Sequence, residues 1–253
     1  MNASFSLKSW MTAGAAALAL VAAMQAHASI VIAGTRVIYN EKEPEVTLKL
    51  SNVGNTPTLV QAWVDNGDPR ISPTSVDVPF IVTPPASRIE PGKAQTLRII
   101  HSAGTQAQAQ AQDHESVYWL DVLEIPPKAT GSEADGNQLQ LAFRTRIKLF
   151  YRPDGLKGHP EDAPAQLAWR LVTQNGHPAL EVHNPGEYHV SLTDAGVFDG
   201  NGKAVFEEGE MVGPGETRIL PLKGSPSVAH SAVVRYHAVN DYGGTVEGTA
   251  QLR

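Results

Sequence analysis

Leu139-Gln-Leu-Ala-Phe-Arg-Thr-Arg-Ile-Lys-Leu-Phe-Tyr151 is the stretch that decides the fold. Leu139, Leu141, Phe143, Thr145, Ile147 and Leu149 fall on one side of an extended chain; Gln140, Ala142, Arg144, Arg146 and Lys148 fall on the other. That period of two predicts a strand. Its apolar side suits an inner strand packed on its own core. It equally suits an edge strand that lends its apolar residues to another chain. Alternation is the same in both, so the choice stays open at this level.

The same period recurs on either side. Val46, Leu48 and Leu50 alternate with polar neighbours before the turn Asn52-Val-Gly-Asn-Thr-Pro57. Strands are predicted at Leu59–Val64, Phe80–Val82, Leu97–Ile100 and Val117–Leu123, each fenced by proline, glycine or a polar turn. Beyond Tyr151 the pattern resumes at Leu167–Val172, Leu180–Val182, Val190–Leu192, Arg218–Leu220 and Val233–Val239. No stretch keeps a 3.6-residue apolar period. Short strands separated by frequent turn signals predict an all-β chain of sandwich or barrel type.

The break falls at Arg152-Pro-Asp-Gly-Leu-Lys-Gly-His-Pro160, and Glu161-Asp-Ala-Pro164 extends it. Each side of it has the length and strand count of one sandwich. The reading is therefore a domain over residues 29–151, a stiff hinge over 152–160 and a second domain over 161–253. Gln106-Ala-Gln-Ala-Gln-Ala-Gln112 reads as a solvent-exposed loop.

Residues 1–28 are read as a signal peptide. Lys8 precedes the apolar run Met11–Met24, and Ala26-His-Ala28 supplies a small-residue cleavage site. The run is shorter than the ~20 residues a spanning helix needs, and no later segment is long and apolar enough to span. A secreted, non-membrane chain is the expectation. At 42% hydrophobic and 18% charged residues it is globular in composition. Loss of Lys8 leaves 19 basic and 26 acidic residues, a formal charge of −7, which disfavours a nucleic-acid partner. There is no cysteine, so stability outside the cytoplasm must come from core burial alone.

Catalytic signatures are missing. The sequence has no Gly-x-Ser-x-Gly elbow, no phosphate-binding glycine loop and no His-Glu-x-x-His helix. His177, His183 and His189 are close in sequence but lack ligand spacing. No enzyme activity, metal or cofactor is expected. A carbohydrate-binding or adhesive sandwich would need clustered exposed aromatics, whereas Trp63, Trp119 and Trp169 lie in strand patterns that read as core.

One set of motifs runs through the whole mature chain. It comprises Gly34-Thr-Arg-Val-Ile-Tyr39, Val82-Thr-Pro-Pro85, Glu90-Pro-Gly92, Leu97-Arg98, Glu115-Ser-Val-Tyr-Trp-Leu120 and Glu124-Ile-Pro-Pro127. The run from Leu139 to Pro153 and Val239-Asn-Asp-Tyr-Gly-Gly244 complete it. In this order the motifs resemble the periplasmic chaperones of the chaperone–usher pilus pathway. The resemblance implies two immunoglobulin-like β-sandwich domains in a bent, L- or boomerang-shaped arrangement. It implies a periplasmic protein that binds, folds and caps pilus subunits by donor-strand complementation and delivers them to an outer-membrane usher. Residues matching Leu139, Leu141 and Phe143 would be offered to the subunit, with Ile147 and Leu149 kept in the chaperone's own core. Arg36 and Lys148 would bind the subunit's C-terminal carboxylate, and Glu115, Arg152 and Asp241 would form an interdomain ion network. His114 stands where the family often has arginine, implying a less positive cleft. The short loop before Leu139 resembles the branch that builds rod-like pili. An unprotected apolar edge also makes a self-capping dimer an expectation.

Overall fold

The computed structural model describes residues 29–70, 77–102, 113–128, 140–199, 202–224 and 232–252. Residues 1–28, Gln106–Gln112 and Leu139, named above, lie outside the described residues.

The first half forms two facing sheets. One is four-stranded, in the order β1 (Ile30–Ile32), β3 (Val46–Asn52), β7 (Ala94–His101), β5 (Phe80–Thr83). The other is five-stranded, in the order β2 (Arg36–Asn40), β9 (Phe143–Arg152), β8 (Ser116–Ile125), β4 (Thr58–Asp65), β6 (Ala86–Ile89). Alternate residues turn inward, as the period of two requires. Leu48, Leu50, Leu97 and Ile99 from one sheet meet Val60, Ala62, Leu120, Val122, Ile147 and Leu149 from the other. Pairing is antiparallel throughout, except that β2 lies parallel to β9 with Arg36 opposite Lys148 and Asn40 opposite Arg152.

Alternation predicts a strand from Leu139, but β9 starts at Phe143. Its neighbour explains this: Glu124 is the last residue of β8 paired with β9, opposite Phe143, and Pro126 and Pro127 follow close behind with no N–H to offer a ladder. Gln140, Leu141 and Ala142 precede the strand, and Gln140 Nε2 donates to Pro127 O at 2.8 Å.

In the second half, β10 (Ala168–Gln174), β11 (His177–His183) and β15 (Thr217–Pro221) form one sheet. The other runs β16 (Lys223–Gly224), β13 (Gly202–Phe206), β12 (Val190–Asp199), β17 (Val233–Val239), β18 (Thr245–Gln251), and β14 (Glu210–Val212) pairs the start of β12. Trp169 anchors the core, stacked on Tyr236 with ring centroids 5.4 Å apart. A single helical turn, α1 (Ala163–Gln166), stands where composition reads as plain linker; Pro164 in its first turn suits it to that position. Tyr236 Oη donates to Pro164 O at 2.7 Å and ties the turn to the sheet.

Both halves use the same device at one turn. Asn52 donates through Nδ2 to Thr56 O and Ile89 O, while Oδ1 accepts from Gly54 N. Asn184 donates to Tyr188 O and Val212 O and accepts from Gly186 N. Each amide is buried and fully engaged, which is the condition for burying it without penalty.

Candidate functional site

The parallel pairing of β2 with β9 brings Arg36 beside Lys148, on the sheet face turned away from the core. That face looks onto the second sandwich. Arg36 Nη1 donates to Val239 O at 3.0 Å, and Lys148 Nζ donates to Ser191 Oγ at 3.1 Å. Arg36 also lies over the Phe150 ring, 5.9 Å from its centroid. Its Nε is buried with no hydrogen-bond partner among the described residues.

Both cations are held where charge is costly. Burial lowers the pKa of Arg36, opposed by the nearby Asp241 and Glu115. Burial, then repulsion from Arg36, lowers that of Lys148. Two adjacent cations with unused donors, hydrogen-bonded among the described residues to neutral oxygens, are matched to an incoming anion that accepts from both. Beside Arg36 a cavity of about 400 Å3 opens, lined by Arg36, Phe150, Pro160, Val190, Val239 and Tyr242 among others. Tyr242 is 97% exposed at its rim.

Glu115, Arg152 and Asp241 come together as one network. Arg152 Nε donates to Glu115 Oε2 at 2.6 Å, and its two terminal nitrogens grip Asp241 at 2.6 and 2.8 Å. Burial disfavours the Arg152 charge, but hydrogen bonds and attraction from Asp241 and Glu115 outweigh it, so its pKa rises. Glu115, 1% exposed, also accepts from His189 N at 2.8 Å, with His189 Nδ1 at 3.0 Å. The pattern of motifs did not single out His189; its partner lies across the domain junction, a contact no local spacing encodes. His183 instead lies 3.1 Å from Thr217 Oγ1, and His114 pairs with Asp113 at 2.6 Å on the surface.

The proposed donor stretch is only partly described, because Leu139 lies outside it. Leu141 is 52% and Phe143 49% exposed, whereas Ile147 and Leu149 are buried in the first core. The pairing pattern explains the gradient. Strand β8 flanks β9 from Phe143 to Tyr151, but β2 flanks the opposite edge only from Lys148 to Arg152. Among the described residues, the edge of β9 from Phe143 to Ile147 therefore has no neighbour on that side. Leu141, the open edge with Phe143, and Lys148 beside Arg36 of β2 thus follow one another along one stretch of chain.

Two tryptophans depart from expectation. Trp169 is core, but Trp63 and Trp119 lie on the outward face of the five-stranded sheet. They sit beneath Arg144 (4.8 Å) and Arg146 (5.0 Å) respectively. Asp65 and Asp121, fully buried beside them, were not singled out by the sequence reading. Their signal was a pair of carboxylates on outward strand positions flanked by tryptophan.

Comparison with known proteins places this architecture. Residues 29–157 match the family model described as pili and flagellar-assembly chaperone, PapD N-terminal domain, and residues 162–250 match pili assembly chaperone PapD, C-terminal domain. The chain is 46% identical over 239 residues to the chaperone protein FimB/FhaD of Bordetella pertussis, covering 94% of each. It is 45% identical over 226 residues to the probable fimbrial chaperone YadV of Escherichia coli, covering 89% of this chain and 90% of that protein. The YadV crystal structure superposes with a TM-score of 0.74, covering 88% of this chain and all of that one. The SafB chaperone, solved in complex with the Salmonella enterica SafA pilin, gives 0.70 at 29% identity, covering 88% of this chain and 96% of that one. With models matching both halves and relatives this close over nearly their full length, the chain belongs to the family of pili-assembly chaperones.

Proposed function

We propose that this chain is a periplasmic carrier of pilus subunits that lends its client the open half of β9 and anchors the client's C-terminal carboxylate on Arg36 and Lys148. The observation that carries the reading is the half-paired strand. From Phe143 to Ile147 β9 has a free edge, with Leu141 and Phe143 exposed before it closes against β2 at the two cations. A subunit strand added to that edge would continue the line of β2, gain main-chain hydrogen bonds, and cover Leu139, Leu141 and Phe143. The carboxylate then fixes register, since a slip of one residue would turn every side chain to the wrong face. Binding and release need no bond chemistry, so the role is not enzymatic.

Export through residues 1–28, domains at 29–151 and 161–253 around a hinge at 152–160, and delivery to an outer-membrane usher belong to the same proposal. A carbohydrate-binding platform is not favoured: Trp169 is core, and Arg144 and Arg146 cover Trp63 and Trp119. In the absence of client, the open edge would be capped by a second copy at high concentration; gel filtration giving only monomer would remove that part.

The test is co-expression with pilin-like subunits encoded beside the gene and purification from the periplasm. A one-to-one complex is expected from the wild type and none from Arg36→Ala or Lys148→Ala with the chaperone still folded. A complex indifferent to both substitutions would discard the anchor.

A further inference from the structure

The open half of β9 poses a mechanical problem. A strand paired on one side only frays, and a frayed donor would have to be ordered again each time a client arrives. On the face opposite Phe143, the structure carries a cluster that the capture reading leaves unused.

Arg144 reaches across β8. Its Nε donates to Asp121 Oδ1 at 2.6 Å, its Nη2 to Asp65 Oδ2 on β4 at 3.3 Å, and its Nη1 to Pro69 O in the following loop at 2.6 Å. Arg146 Nη2 donates to Asp65 Oδ1 at 2.7 Å, and its Nε stands 3.1 Å from Asp121 Oδ1. Two guanidinium groups and two carboxylates balance in charge, and both carboxylates are wholly buried. The indole rings of Trp63 and Trp119 pack beneath the guanidinium planes. The loop after β4 closes over Trp119 through Gly67 (φ +108°), where a Cβ would stand 3.3 Å from the indole nitrogen.

Stability alone does not account for this arrangement. Apolar residues of similar volume commonly serve as well as a buried ion cluster, and Asp121 Oδ2 is buried with no hydrogen-bond partner among the described residues. Directional bonds, unlike apolar contact, fix orientation. The bonds start at positions 144 and 146, the two outward residues of the open half, and run to the second and third strands inward. They hold those Cα positions while leaving the free edge and Phe143 unobstructed.

We propose that Asp65, Asp121, Arg144 and Arg146 form a brace that keeps the half-paired stretch of β9 extended before a client arrives, which makes Asp121 and Arg144 positioning residues for capture. The proposal rests on the capture reading above for its purpose, though not for the rigidity itself.

Hydrogen exchange on the full-length free protein tests it, with Arg144→Met, which keeps an apolar stem over Trp63, and Asp121→Asn, which is neutral and similar in shape. Loss of a buried charged hydrogen bond should speed exchange in residues 143–147 on the order of tenfold, with 148–152, covered by β2, unchanged. Uptake of a pilin-like subunit diluted from denaturant should slow by a similar factor. Val234→Ala in the second core serves as the control: it should lower Tm without slowing uptake. Unchanged exchange in both variants would overturn the brace. Faster exchange with uptake at the wild-type rate would overturn the positioning role. A wild type that takes up no subunit would instead overturn the capture reading, and the exchange rates would still decide the brace.

Discussion

Arg36 and Lys148 touch neutral oxygens, those of Val239 and Ser191, whereas Arg144, Arg146 and Arg152 on the same face are gripped by carboxylates. The difference has a consequence in pH. Burial first and Arg36 second lower the pKa of Lys148 below the ordinary 10.5 of a lysine. A lysine whose folded pKa is lowered is carried charged at a cost that is full below the shifted value and is lost as pH rises from there to 10.5. Lys148→Met should therefore raise Tm at neutral pH while weakening capture, since the charge that destabilises the free chain is the one proposed to bind the carboxylate. Affinity for a peptide copying a pilin C-terminus should fall as pH rises towards 10.5, and earlier than for an unshifted lysine, as Lys148 loses its proton, and Lys148→Met should flatten that fall. Arg36→Ala should cost about 2–5 kcal/mol of binding, the usual range for truncating one member of a buried charge pair. A thermal melt reads the Tm and titration calorimetry the binding effects, and an amidated peptide should be almost indifferent to either substitution.

At the scale of the element, β9 is one strand with two fates. Phe143→Ala should weaken the client complex by about 1.5–3 kcal/mol, the value of burying one such side chain, and leave the Tm of the free protein unchanged. Ile147→Ala, on the same face four residues on, should cost the chaperone itself about 2–5 kcal/mol. Paired thermal melts and binding titrations separate the two; equal loss of stability from both would mean that Phe143 is core. Alternation made the strand and its two faces legible in the sequence. It could not show where the inward face stops being covered, because that depends on where β2 begins, at Arg36 opposite Lys148, a parallel pairing remote in sequence. Nor could it show that Asp65 and Asp121 are buried, since outward polar residues on a strand ordinarily face water. The later start at Phe143 was not legible because Pro126 and Pro127 act across the sheet, not along the chain.

At the scale of the molecule, motif order made the two sandwiches and the trio Glu115, Arg152 and Asp241 legible, while the contacts of Glu115 with His189, of Arg36 with Val239 and of Lys148 with Ser191 became visible only once both sandwiches were in place. The junction is polar. Besides the Arg152 network, Glu115 N donates to Glu187 O at 2.8 Å, and the turn before β18 approaches the chain entering β2 so closely that a Cβ on Gly243 (φ +82°) would stand 2.5 Å from Thr35 Oγ1. Removing Arg152 strands the fully buried Glu115 without its cation, a loss of about 3–5 kcal/mol for a broken buried pair. Each sandwich has its own hydrophobic core, so the loss should fall on the junction and not on either core. Arg152→Ala should therefore unfold in two separated thermal transitions and broaden the small-angle scattering distance distribution. Arg152→Lys should fall between the variants, because an ammonium keeps the charge but cannot grip two carboxylates in the plane of a guanidinium. Because the proposed carboxylate anchor also reaches across this junction, Arg36 to Val239 and Lys148 to Ser191, Arg152→Ala should weaken client binding without touching the client. A scattering profile and a single transition identical to wild type would mean that Glu187, Gly243 and the Arg36 contact hold the junction without the ion network.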